Sequence, residues 1–170
     1  MNNNQSDVSS LLGAAGIGAV AGLRSMVAPA LVSQAAHTGS IDLGGGPFAF
    51  LSKQRSADIA TGAAVLELVA DKLPFTPDRT TAVPLIVRAI SGGVAGAAVS
   101  SARKQDWRKG ACVGGVAALA ASFAGFWIRR SLTRNAGAPD LLIALAEDAL
   151  AVACGVVILR DQASRQAAAD

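Results

Sequence analysis

The sequence predicts an all-α fold, a polytopic membrane bundle of about five transmembrane helices (four to six), with a two-helix inverted repeat around a central helix as one arrangement. Three observations predict it. The residues AVILMFWYC make up 52% of the 170 positions and 18 glycines add to them, well above the roughly 45–50% usual for a soluble domain. Charged residues are 16%, against about 25% expected. Large core-filling side chains are scarce: 37 residues are Ala, Tyr is absent, and there are five Phe and two Trp. A core in water needs large apolar groups to bury, whereas helices in lipid associate through close backbone approach at small residues.

A span needs about 20 apolar residues. Residues 1–9 form a polar amino-terminal tail without Lys or Arg. A cleavable signal has a basic leading region, so the first apolar run reads as a retained helix. That run, residues 10–32, is interrupted by Arg24 and Pro29. Residues 34–56 read as a loop, with Gly44-Gly45-Gly46-Pro47 as its turn signal. Segment two, residues 58–73, is the least hydrophobic, holding Glu67 and Asp71 before Lys72 and Pro74. The linker Pro74 to Arg79 reads as a tight reversal, because its two prolines deny helix continuation. Segment three, residues 81–102, contains Arg88 and the small residues Gly92, Gly93 and Gly96. Segment four, residues 110–128, carries no charge and ends at Arg129-Arg130. With no polar face for water, it argues most directly against a soluble bundle. A turn from Asn135 to Pro139 leads to segment five, residues 141–159, interrupted by Glu147-Asp148. Residues 10–160 thus form one membrane domain, followed by a polar tail, 161–170, read as a frayed helix extension.

Five spans place the two ends on opposite sides. Lys and Arg outside the spans divide eight against five, which favours the amino end outside and the carboxyl end in the cytoplasm. Small-xxx-small spacings at Gly18/Gly22, Gly92/Gly96 and Gly110/Gly114 put pairs of glycines on one helix face, where a second helix, from this chain or from another copy in a homo-oligomer, can approach closely.

Other function classes find little support. No basic stripe with interleaved aromatics is present, so nucleic acid is not an expected partner. His37 is the sole histidine, and Cys112 and Cys154 sit apart in apolar segments, so no metal site and no cofactor are expected. The GxSxG, HExxH and aspartate-rich diphosphate patterns are absent, and Ser25 and Ser131 have no His nearby, so no catalytic residue is assigned and no enzyme is expected.

A packing account does not predict Arg24, Glu67, Asp71, Arg88, Glu147 and Asp148. An ionised group near the bilayer centre costs about 2.5–3.5 kcal/mol on insertion scales, so these residues should be paired or hydrated and should face one another. Glu67 and Asp71 project from one helix face, and Arg24 and Arg88 on other segments are the evident counter-charges. Pro29 would free a carbonyl one turn back, as in the broken helices of transporters. The bland alternative is that Asp71 and Arg24 reach the interface or that the ions only fix packing. The halves also echo each other: Arg24-Ser25 and Arg130-Ser131 each close an apolar run and each precede a helix carrying Glu67 or Glu147. An odd number of crossings between segments would make the second copy inverted.

Gly22-Leu23-Arg24 with Pro29, then Glu67-Leu68-Val69-Ala70-Asp71-Lys72-Leu73-Pro74, then Arg88 and Gly92, resemble the bacterial integral-membrane family known as domain of unknown function 4126. The Glu-Leu-x-x-Asp-Lys-x-Pro stretch is the most specific part, and Glu147-Asp148-Ala149-Leu150-Ala151 resembles the acidic pair of its last helix. The resemblance implies a small helical protein of the bacterial cytoplasmic (inner) membrane with the lipid bilayer as its partner, and carries over no activity or substrate. The expected function is a transporter or channel with an intramembrane carboxylate and arginine cluster. The alternative is a structural or assembly protein whose ion pairs fix helix register.

Overall fold

The structure, a computed structural model, describes residues 3–71, 82–135 and 139–168. Among them are six helices: α1 (Asn3–Leu23), α2 (Val27–His37), α3 (Gln54–Ala70), α4 (Ala82–Ala102), α5 (Trp107–Asn135) and α6 (Asp140–Ala167), with a short 3-10 turn at Ala49–Ser52 between α2 and α3. Three of them, α4, α5 and α6, are long and apolar enough to cross a membrane, and α1 holds a shorter apolar stretch, Asp7–Leu23. The all-α polytopic bundle expected from the sequence is the fold.

The packing is that of a protein in lipid. The interior is built largely of Ala, with few larger side chains such as Ile17, Val20 and Val99. Large apolar groups point outward instead: Ile59, Leu66, Val83, Ile90, Trp127 and Val157 are all exposed. In water such a surface would be a large unfavourable apolar patch, whereas in hydrocarbon it is the solvated face.

The first segment departs from expectation. It does not cross the bundle as one helix but reverses at Arg24–Met26, so that α1 and α2 form a hairpin. Contacts down the bundle establish the direction of each helix. Gly18 meets Gly114 and Gly22 meets Ala118, so α1 and α5 are parallel. Gly96 meets Gly110 while Gly92 meets Gly114 and Ala118, so α4 runs against α5. Gly13 meets Gln162 and Gly16 meets Ile158, so α6 runs against α1. The chain after α2 returns to the starting end, where the Asp42 N–H donates to Gln166 and Gln166 donates to the Ala102 carbonyl. The Ser10 hydroxyl donates to Ser100 at that same end.

Six helices alternating in direction bring both ends of the chain to one face, correcting the five-span count that separated them. The amino-terminal residues 1–9 carry neither Lys nor Arg, so moving that end leaves the eight-to-five division as it was. Segments one and four, compared in the sequence as repeat copies, run parallel where they begin, so inversion does not relate these two helices. Both polar ends are extensions of helices, α1 starting at Asn3 and α6 running to Ala167. Pro74 and the linker to Arg79 lie outside the described residues.

The glycine pairs are consumed within the chain. A Cβ on Gly18, Gly92, Gly96, Gly110 or Gly114 would collide with backbone of a facing helix, and one on Gly22 with Ala118 and Ala121. These contacts fasten α1 and α4 side by side onto α5, with Gly96 of α4 also close to Ala14 of α1. The glycine faces expected to be open to a second copy are therefore closed by the chain's own helices.

Candidate functional site

The tip of the α1–α2 hairpin is the centre of the polar cluster. Its layer is fixed by Ser122 of α5, whose single hydroxyl proton is shared between the Ala118 carbonyl of its own helix at 2.7 Å and the Gly22 carbonyl, an orphan acceptor at the end of α1, at 3.0 Å. Ser122 stands roughly 18 Å along α5 from Gly110, at about 1.5 Å per residue, and Gly110 packs on Ser100 at the starting end. The hydrocarbon layer is about 30 Å thick, and α5 continues well past Ser122 to Asn135. The tip therefore lies level with the apolar run of α5, short of its far end. A backbone reversal at that depth needs partners for every polar group.

Those partners come from α3 and α6. The last bond of α1 runs from the Arg24 N–H to Val20 at 2.9 Å, and the first of α2 from the Ala30 N–H to Met26 at 3.0 Å. Between them, the backbone N–H groups of Ser25 and Met26 donate to the two carboxylate oxygens of Glu67, at 2.8 and 2.7 Å. Met26 makes no side-chain cap of its own. An acid from a neighbouring helix thus caps α2, where N–H groups and helix dipole both favour a negative charge.

Pro29 sits in the first turn of α2, two residues after Val27, where a missing N–H costs no intrahelical bond. The break precedes it, at Arg24–Met26, and Pro29 is a helix-start residue rather than a kink.

Arg24 has 0% of its surface exposed and is the largest fully buried side chain. Its guanidinium pairs with Asp71, at the end of α3, and with Asp148 of α6. Both carboxylates are nearly enclosed, at 13% exposure. Glu67 and Asp71 do lie on one face, one helical turn apart, with divided roles: the first holds backbone, the second holds Arg24. Arg88 is buried in α4, one turn toward the tip from Gly92, which packs on Ala118.

Glu147 has a partner on α5. It accepts from Arg129 of α5 at 3.3 Å, forming a second pair farther along the bundle. Sequence reasoning missed Arg129, because it directly follows an uncharged run and reads as an interfacial stop. The available signal was that α5 and α6 are consecutive and antiparallel, with Arg129 and Glu147 placed symmetrically about their turn. Among the described residues no group of three His, Cys, Asp or Glu side chains gathers as a metal site.

Neither the curated proteins nor the solved structures contain a match to this chain. Residues 11–160 match the family described as a domain of unknown function (DUF4126). That stretch begins within α1, takes in every residue of the polar cluster and ends in α6, and the chain belongs to this family.

Proposed function

We propose that this multi-pass membrane protein is a transporter or channel in which the hairpin tip, with Arg24, Glu67, Asp71 and Asp148, forms the intramembrane site. The observation that carries the reading is the reversal itself. A helix interrupted inside the apolar layer, with backbone N–H groups held by a carboxylate, is an arrangement that serves ion and substrate sites in transporters. An ion or substrate that competes for the Glu67 carboxylate would weaken its hold on Ser25 and Met26, and one that competes for Asp71 or Asp148 would loosen Arg24. Each change rearranges the tip without unfolding the three-helix core of α1, α4 and α5.

The positive-inside rule places the end bearing Lys53, Arg55, Arg103, Lys104, Arg108 and Lys109 in the cytoplasm. In the bacterial inner membrane, both ends of the chain would then be cytoplasmic.

A second reading, a structural or assembly protein, draws on one observation: Arg24 is wholly enclosed and already paired with two carboxylates. Reconstitution separates the two. Proteoliposomes of the full chain should pass protons or small ions, and Glu67→Gln should change the flux at unchanged protein content. Flux indistinguishable from empty liposomes, with Glu67→Gln altering only thermal stability, would leave the structural reading.

A further inference from the structure

We propose that the groove between α1 and α6 at the starting end of the bundle binds a phospholipid whose headgroup carries a hydrogen-bond donor beside its phosphate. The groove encloses about 300 Å³. Its outer part is apolar, formed by Leu12 and Val157, both well exposed to the surrounding lipid. Its inner part is polar, formed by Ser9, Asp161, Gln162 and Arg165. Oil-facing at one end and charged at the other, it has the amphipathic order of a lipid rather than of a free phosphate.

The polar part is built rather than incidental. Gln162 is only 4% exposed, and its amide lies where a Cβ on Gly13 would stand, 2.6 Å from Nε2. Glycine at that position is what lets the side chain sink between the helices. Its Oε1 is buried and makes no hydrogen bond among the described residues, a costly state for a polar atom unless a donor arrives.

Behind this wall, Arg103 Nη2 donates to the Ser9 hydroxyl at 3.1 Å, while its buried Nη1 has no hydrogen-bond acceptor. Burial and the neighbouring Arg165 charge both pull the Arg103 guanidinium below its ordinary pKa, with Asp161 opposing. Asp161 itself is held by Arg165 Nε at 2.9 and 2.7 Å. Two guanidinium groups thus share one carboxylate, leaving a net positive charge that a phosphate would balance. The unused acceptor on Gln162 then calls for a donor on the same headgroup. Ethanolamine and glycerol headgroups supply one; choline does not.

The test uses the full chain purified in a neutral detergent, titrated with phosphatidylethanolamine, phosphatidylglycerol, phosphatidylcholine and glycerol 3-phosphate. Native mass spectrometry would count adducts, and thermal unfolding would report stabilisation. The first two lipids should bind about tenfold tighter than phosphatidylcholine, and glycerol 3-phosphate should give no adduct at equal concentration. Gln162→Leu should erase the preference over phosphatidylcholine, and Arg103→Gln should weaken all three lipids. Equal binding of the three lipids by the wild-type chain, or a match by glycerol 3-phosphate, would overturn the proposal. The wild-type ranking decides the matter should either variant fail to fold.

Discussion

Glu67 caps the hairpin at Met26: its carboxylate accepts the Met26 N–H at 2.7 Å, across a sequence separation of 41 residues. One side chain thereby joins α3 to the hinge between α1 and α2, and whatever acts on its charge acts on the hinge. Glu67→Gln keeps an acceptor but loses the charge assistance, which is worth roughly 1–2 kcal/mol in such bonds. Glu67→Ala leaves two N–H groups unsatisfied in a dry setting and should cost about 2–4 kcal/mol. Thermal unfolding in detergent should rank wild type above Gln and Gln above Ala. Equal midpoints for wild type, Gln and Ala would show that the cap contributes nothing.

Both ends of the chain should lie on one side of the membrane. Fusing a reporter active only in the cytoplasm to the amino end, and separately to the carboxyl end, should give the same answer twice. Cysteine labelling at Ser164, with Cys112 and Cys154 replaced, should agree. Opposite readings at the two ends would restore a five-span path and remove the hairpin.

This hairpin marks the limit of what hydropathy can show. Lipid location, the helical class and the need for Arg24 to find carboxylates are legible, because each follows from the cost of exposing backbone or charge to hydrocarbon. Direction is not. An apolar run from residue 10 to 32 reads the same whether it continues or doubles back, since both forms bury the same side chains. The reversal depends on Glu67, far off in sequence, supplying acceptors at Ser25 and Met26. Likewise Asp71 and Glu67 share a face by spacing alone, but no spacing tells which takes the guanidinium and which the backbone. The glycines were readable as close-approach positions, while the identity of the approaching helix required the fold.

Gly96→Ala and Gly18→Ala should both destabilise the bundle, by about 2 kcal/mol or more, since the added Cβ meets backbone of α5 that cannot rotate away. Gly62→Ala, in α3, has nothing within 4 Å of the new methyl group and should stabilise by up to about 1 kcal/mol through helix propensity. The contrast is read from unfolding midpoints in detergent. A uniform response at the three sites would deny that α1 and α4 are seated on α5 by glycine contacts.

Arg24 is the residue on which the cluster is most dependent. Arg24→Met removes the cation that pairs with both Asp71 and Asp148 and leaves its share of their buried charge uncompensated, a change that typically costs about 3–5 kcal/mol. The loss comes from that uncompensated charge more than from the missing bonds. Neutralising both acids in the triple variant Arg24→Met, Asp71→Asn, Asp148→Asn should therefore return a substantial part of the stability. Chemical unfolding in detergent would measure both. Should the triple variant be no more stable than Arg24→Met alone, the guanidinium's packing at the tip, beneath Gly22 and beside the Glu67 cap, would be its contribution, and charge balance would not.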